Sequence, residues 1–493
     1  MLKLRYSLTI HVACVLLSIG LASGCNRSDQ SPAKSTPDVE TKSLPPIKVV
    51  VVDDESIATA IDREWSALGG ALLTVENISV SELQTRSKWT ADVVVYPFSW
   101  MGDLVNRRII RPLQRTTQLG DDQTTELPVI DTSDFFDRTR KSEMQWGKQL
   151  FGASLGSPQF LLLYRTDVFE ALSLSAPTTW AEYDAVLASL NKRKGEVAEM
   201  LAVDETRPSI AAAPLAEGWA AKYFLARSAA YARHRSQYSC LFSIQSFQPQ
   251  LTQPPFVRAL DELRASHESS LQATPYSIAT GFSMGKLAMA ITWPEAARTT
   301  GEDVPYDAVD KLPVAAVPLP GARQAYDRSL NQWQTRSEEE SSHVPLVGIS
   351  GRCVSVCRRT VDIDRAYDFV VWATEAETGS AIARHSHETT VARFAQMEQN
   401  TGSLPAAFET TEKSIMRAIS DSQAAELALS VPRIPQHDKY MAILDNAIRE
   451  SVTSDASATA ILQSVNNGWE QLTESIGRQQ QITAYAESLG INP

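Results

Sequence analysis

The chain has 493 residues, 43% of them apolar and 21% charged, and carries a formal net charge of −12. So long a chain exceeds what one small core organises and predicts two to four domains or lobes, and the composition excludes a disordered or fibrous protein. The acidic balance, with no basic patch visible in the sequence, argues against non-specific binding to nucleic acid or to anionic lipid.

Lys3 and Arg5 lead into an apolar run from Leu8 to Gly20, and Leu21-Ala22-Ser23-Gly24-Cys25 follows. The run is too short for an ordinary transmembrane helix and reads as an export signal. Its last five residues resemble a bacterial lipobox, which implies cleavage before Cys25 and lipidation of that residue. The expected product is an extracytoplasmic lipoprotein tethered to a membrane, its net charge moved from −12 to −14 by the departure of Lys3 and Arg5. Residues 26–46 are polar and rich in Pro, Ser and Thr without periodicity, the composition of a tether.

The fold is expected to begin at Ile47, where Ile47–Val52 is largely apolar, as suits a strand covered on both faces of a parallel sheet. Ser56 is placed to cap a helix with Ile57, Ile61, Trp65 and Leu68 on one face, and Gly69-Gly70 to end it. Strands at Leu72–Val75 and Asp92–Tyr96 flank a helical segment around Ser81–Ser87, giving the order βαβαβ. That order predicts a right-handed α/β sheet whose ligands gather at the carboxyl ends of its strands, with Asp53, Asp54, Tyr96, Ser99 and Trp100 along one rim. An aromatic ring at such a rim is a stacking platform for the apolar face of a sugar.

From Leu150 to Leu190 the chain reads as a Gly/Ser/Pro crossover, a strand over Phe160–Tyr164, a short two-turn element and a helix capped reciprocally by Thr179 and Glu182. Arg193–Pro208 reads as loop, Leu215–Arg233 as helix, and Leu287–Thr292 as a strand ending at Trp293-Pro294-Glu295. Thr299–Ser342 reads as a long surface loop, interrupted by a strand at Val314–Pro318. Strand character returns at Leu346–Ile349 and Val354–Val356. Asp364 is placed to cap a helix with Ala366, Phe369, Val370 and Ala373 on one face, and Ala424–Leu489 is mainly helical.

Several short motifs suggest chemistry. Gly152-Ala153-Ser154-Leu155-Gly156 spells G-x-S-x-G, the nucleophile elbow of serine hydrolases, with His343, His385 or His387 as candidate base. An elbow leads from a strand straight into a helix, whereas here Ser157, Pro158 and then a strand follow, so the hydrolase is the weaker reading. Ser283 and Lys286 spell S-x-x-K on a segment that turns into a strand instead of continuing as a helix. His385 and His387 have no third ligand nearby, and on a strand Cys353 and Cys357 would stand about 13 Å apart, beyond disulfide reach. With Cys14 removed and Cys25 lipidated, Cys240, Cys353 and Cys357 are expected to be buried structural thiols. No metal and no cofactor is expected.

Taken in order, the lipobox, FGASLGSPQFLLLYRTDVFEALSLSAPTTWAEYDAVL, FSMGKLAMAITWP, LVGISGRCVSV followed by DRAYDFVVWATEAETG, and VPRIPQHDKYMAILDNAIRE resemble the family 1 extracellular solute-binding proteins of ABC importers, the group that includes the maltodextrin-binding proteins. The resemblance implies a two-lobed α/β fold of the periplasmic-binding-protein type, with a hinge between the lobes and solute held in the cleft. It puts hinge crossings near Ser157–Phe160, Val344–Gly348 and Asn400–Leu404, hence lobe one at 47–157 plus 347–402 and lobe two at 158–346 plus 403–493. With Asp54 from the rim, the cleft residues it implies are Tyr96, Ser99, Trp100, Gln159, Trp219, Trp293, Glu295 and Arg393. The expected function is capture of a small solute, a carbohydrate, by a monomer that delivers it to the membrane subunits of an ABC permease and has no enzymatic activity. The alternatives are an exported hydrolase using Ser154 and a binding protein that feeds a membrane sensor.

Overall fold

The structure, a computed structural model of the protein, describes residues 45–69, 72–118, 124–201, 210–266, 271–298, 312–398, 404, 408 and 411–491. The export signal, Cys25, the tether and most of the third expected crossing lie outside the described residues. So does the first part of the segment read as a long loop, at 299–311.

Strands β1 (Ile47–Val52), β2 (Leu73–Ile78), β3 (Val93–Tyr96), β4 (Ala153–Ser154), β5 (Leu161–Arg165), β6 (Ala211–Ala212), β7 (Met289–Thr292), β8 (Val314–Pro318) and β9 (Cys353–Val356) build two sheets. The first has the order β2-β1-β3-β9-β4 and the second β6-β7-β5-β8. This is the two-lobed α/β architecture. In the first sheet β1 runs parallel to β2 and β3, and β9 runs against both β3 and β4. Alternate residues explain why these strands read as unbroken apolar runs: Val49, Val51, Val93, Val95, Val354 and Val356 fill one core, while Val50, Val52, Val94 and Tyr96 fill the other. Each buried valine contributes roughly 1.5–3 kcal/mol through the surface it removes from water.

Helices α1 (Glu55–Ala67), α2 (Trp180–Lys192), α3 (Ala220–Ala232), α4 (Pro275–Ser283), α5 (Ile363–Thr374) and α6 (His437–Ser451) position the site. The reciprocal cap of α2 forms as expected, with Thr179 Oγ1 accepting from Glu182 N and the Glu182 carboxylate accepting from Thr179 N. Other termini differ from the sequence reading. Asp54, not Ser56, caps α1 by accepting from Ile57 N at 3.0 Å, and Leu68 is an exposed C-cap, not part of the buried face. Asp362, not Asp364, caps α5. In each case the carboxylate nearest the strand or turn wins, because an N-cap accepts from the amide three residues on.

Two segments read as loop are ordered. Lys194–Met200 is helical, held by the buried Val197. Gln324–Asp327 and Gln332–Thr335 form a hairpin within the segment read as a long loop. Its polar strands conceal the period of two, and the directly opposed Tyr326 and Trp333, with ring centroids 5.4 Å apart, supply the cross-strand contact. Cys240, Cys353 and Cys357 are free and buried, as expected.

The strand ends define two facing rims. Cys353 pairs with both Tyr96 and Ser154, so β9 begins where β3 and β4 end. Leu161 pairs with Thr292 and Pro318, so β5 begins where β7 and β8 end. The chain passes from the first rim to the second at Gly156–Phe160. There Gly156, at φ +107°, lies so close to Thr390 that a Cβ would fall 1.7 Å from its carbonyl oxygen. Only glycine has both that backbone freedom and that clearance. A second passage runs beside it, where Leu346–Val347 pairs with Leu429–Ser430.

Candidate functional site

Charged and aromatic side chains from both rims converge on one short segment, Ser386–Thr390. From the first sheet, Asp54 at the start of α1 accepts a hydrogen bond from Ser386 Oγ at 2.6 Å and stands 3.3 Å from Arg352 Nη2. Arg352 sits just before β9 and is 4% exposed. Its Nη2 also donates to Asp53 O and its Nη1 to Gly351 O, and Nη1 lies 3.6 Å from Glu388 Oε2. Glu388 additionally accepts from Ser350 Oγ and, across the interface, from the hydroxyl of Tyr276 on α4.

The turn after β7 of the second sheet holds the same segment at further points. Trp293 Nε1 donates to His387 O at 2.9 Å, and Thr390 Oγ1 donates to Glu295 Oε1 at 2.5 Å. Arg298 Nη1 donates to the carbonyls of Ala383, Ser386 and Thr389. Burial alone would push the Glu388 carboxyl up, but contacts from His387, Arg352, Tyr276 and Lys222 outweigh it and hold the group down at about 2. Glu388 is therefore an anion at neutral pH, and the Tyr276 hydroxyl beside it is pushed well up by burial and by that charge.

An aromatic cluster backs the polar one. Trp219 lies 5.6 Å from both Trp293 and Tyr276, and Phe160 lies 6.0 Å from Trp293. Lys222, one turn along α3, places its ammonium 4.0 Å over the Trp219 ring. Burial draws that ammonium down to about 8, with Glu388 and Asp445 opposing the shift. Asp445 of α6 fixes the start of α3 by accepting from Gly218 N and Ala221 N. Trp100 packs edge-on against His437 at 4.7 Å, where α6 begins. The two rims are closed on one another at the hinge end: the cavity between Gln159, Trp293, Glu295 and Thr390 measures about 10 Å³, room for at most one water molecule.

The structure thus brings together Asp54, Trp219, Trp293 and Glu295 of the residues expected at the cleft, with Gln159 at the crossing. Gln159 Oε1 accepts from Ser422 Oγ, and its amide nitrogen, Nε2, has no hydrogen-bond partner. Trp100 lies at the α6 terminus, and Ser99 is half-buried in the turn before it. Two expected residues are not brought to this cluster. Tyr96 is fully buried, its hydroxyl 2.8 Å from Ser355 Oγ within the sheet. Arg393 donates to Thr374 O and lies over the Phe135 ring beside Asp134. The reading that no basic patch exists is also corrected: Arg86, Arg107, Arg108, Arg358 and Arg359 line one cavity at the opposite end of the first sheet. Arg352, Tyr276 and Glu388 escaped the sequence reading. The one local signal was an arginine wedged between Gly351 and an apolar strand.

Ser154 is not arranged as a nucleophile. It lies in β4, 3% exposed, donating to Glu143 Oε2 at 3.1 Å and accepting from Gly156 N at 3.0 Å. His343 contacts Leu319 O and Ser422, His385 contacts Arg63, and His387 contacts Glu388. Ser283 ends α4 with its hydroxyl on Thr280 O. Among the described residues there is no cluster of three or more metal-ligating side chains, and no helix is long and apolar enough to cross a membrane.

Residues 74–392 match the family model described as bacterial extracellular solute-binding protein. No curated protein matches the sequence. Among solved structures, the chain is similar to the sugar-binding protein MalE of Xanthomonas citri, at 14% identity and TM-score 0.62 over 88% of this chain and 98% of that one. It is similar to an ABC transporter solute-binding protein of Agrobacterium radiobacter K84 in complex with ribitol, at 16% identity and TM-score 0.59 over 87% and 100%. A third, from Agrobacterium vitis S4 with bound D-mannitol, has 14% identity and TM-score 0.58 over 88% and 99%. At these identities the likeness speaks for the fold.

Proposed function

The chain belongs to the bacterial extracellular solute-binding proteins, and from that premise we propose that it captures a carbohydrate or polyol between its lobes and delivers it to an ABC permease. Residues 47–157 with 347–402 serve as one lobe and 158–346 with 403–493 as the other. Asp54, Arg352, Glu388 and Lys222 offer hydrogen-bonding charges to hydroxyl groups, and Trp219, Trp293 and Trp100 offer apolar faces to the ring or chain carbons. The single observation that carries the reading is the clasp on Ser386–Thr390, where charged and hydrogen-bonding side chains of both rims meet. A solute that replaces those contacts with its own hydroxyls binds the two lobes together and shifts the population toward closure by its differential affinity. Ribitol, D-mannitol and sugars are what the similar structures hold or are named for, which is why polyols join sugars here. The protein acts as a monomer anchored through Cys25 outside the cytoplasm and performs no hydrolysis at Ser154, whose hydroxyl already has a donor and an acceptor.

Isothermal titration against a panel of sugars and polyols tests this. A saturable heat on at least one of them, weakened about tenfold or more by Trp219→Ala, is the expected result. Silence across that panel with a clear signal on amino acids, polyamines or metal ions overturns the solute class.

A further inference from the structure

At the end of the first sheet remote from the cleft, three separate segments meet around a cavity of about 650 Å³. Trp89 comes from the approach to β3, Arg107 and Arg108 from the turn after the helix Met101–Asn106, and Arg358 and Arg359 from the turn after β9, with Arg86 beside Trp89. Backbone bonds from Arg358 N to Ile109 O and from Cys357 N to Asp92 O lock the segments in place. The placement is therefore built by the fold and is not a chance meeting of long side chains.

The charge at this cavity is unbalanced. Arg86 is answered by Glu76 in a two-pronged pair and Arg107 by Asp103 at 3.2 Å. Among the described residues, the guanidinium groups of the exposed Arg108, Arg358 and Arg359 have no hydrogen bond or ion pair. One donor in the wall is also unused: Trp89 is 8% exposed, yet its Nε1 has no hydrogen-bond partner, whereas Arg86 Nη1 lies 3.9 Å from Glu82 Oε1. A buried N–H left without an acceptor costs about 1–3 kcal/mol, so the indole of Trp89 is arranged for an acceptor from outside. Planar guanidinium forks with an indole N–H suit the oxygens of a phosphate group. Arg108 further holds a backbone φ of +55°, where glycine or asparagine would be less strained.

The same end of the sheet receives the chain from its amino-terminal side. Lys48 N donates to Asp92 Oδ2, Asp92 N to Lys48 O, and Thr360 Oγ1 to Asp92 Oδ1, so the first residues of β1 adjoin the segments that carry Trp89 and Arg359. The expected anchor at Cys25 lies upstream of β1 in the sequence. We propose that this cavity binds the phosphate of an anionic phospholipid headgroup, seating the base of lobe one on the membrane with the cleft facing away. The inference takes from the proposed function only the anchor, and its test does not depend on the solute. The overall acidity of the chain does not oppose it, because screening confines the relevant field to about 10 Å.

The test uses the full chain carrying Cys25→Ser, so that no lipid is attached, and co-sedimentation with vesicles of phosphatidylcholine alone or mixed with phosphatidylglycerol. Binding to the mixed vesicles is expected to weaken about tenfold or more in the Arg108→Ser/Arg358→Ser/Arg359→Ser variant, while binding to phosphatidylcholine stays equal in both proteins. Trp89→Phe, which keeps the ring and removes the donor, is expected to weaken it about threefold. Equal binding of parent and triple variant overturns the site, and no effect of Trp89→Phe replaces it with diffuse attraction. Saturable binding of inorganic phosphate that is lost in the triple variant, with vesicle binding unchanged, overturns the lipid source and assigns the cavity to a soluble anion. An unlipidated Cys25 in the cell-derived protein, read by mass spectrometry, would defeat the anchor without altering these comparisons.

Discussion

The two ends of the first sheet hold comparable numbers of ionised groups and treat them in opposite ways. At the cleft end, Asp54 and Arg352 are buried, Glu388 is partly buried and all three are matched, every one of them held by backbone or hydroxyl groups as well as by its counter-charge. At the base, Arg108, Arg358 and Arg359 face solvent and Trp89 keeps an unused N–H. Buried charges must be paired because desolvation costs several kcal/mol per ion, whereas exposed ones retain their water and cost little. The difference teaches where each end spends its charge. The cleft end uses it to hold two lobes in register, and the base leaves it available to a partner.

Substitutions can break that contrast, and the largest effect falls at Arg352. Arg352→Ala leaves the buried Asp54 and the partly buried Glu388 without their shared cation, and a loss of about 3 kcal/mol in urea unfolding is expected. A loss below about 1 kcal/mol would mean that the two carboxylates are sustained by their other partners, and the pairing account of the cleft end would fall.

Glu143 sharpens the contrast because it is a buried carboxyl at the cleft end without a close cation. Burial pushes it up to about 7 from an ordinary 4.5, with hydrogen bonds from Ser154 and Ser157 opposing. The folded chain therefore keeps a proton that the unfolded chain releases, so this group's contribution declines as pH rises from 4.5 to 7 and stays low above that. Glu143→Gln is expected to stabilise the protein by roughly 3 kcal/mol near pH 8 and by almost nothing near pH 4. Denaturation midpoints at the two pH values provide the check, and a pH-independent difference would contradict the assignment. The smallest effect belongs to the base: the triple arginine variant should change folding stability by no more than about 0.5 kcal/mol, since those exposed side chains make no hydrogen bond or ion pair among the described residues. A larger thermal shift would show that they are structural after all.

Much of this architecture was legible in the sequence. The apolar runs at Ile47–Val52 and Leu161–Tyr164, the Thr179 cap and the Gly156 crossing all depend on local pattern, and local pattern is what a sequence carries. Tyr96 shows the limit. The end of a strand marks a rim, but the parity of the residue decides which face its side chain takes, and Tyr96 falls with Val94 and Val52 toward the core. Arg352, Tyr276 and Glu388 lie in three distant segments, and nothing within any one of them announces the other two. The basic cavity was invisible for the same reason: its arginines come as a single residue and two pairs, each unremarkable until the fold sets them side by side.

The clasp has one further consequence, for how such a chain diverges. Trp293 and Arg298 bond to the carbonyl oxygens of Ala383, Ser386, His387 and Thr389. Every amino acid supplies that oxygen. At those contacts, lineage after lineage can rewrite the side chains without losing the grip of Trp293 and Arg298. Glu388 and Thr390, which engage through their own side chains, are where such drift would meet resistance.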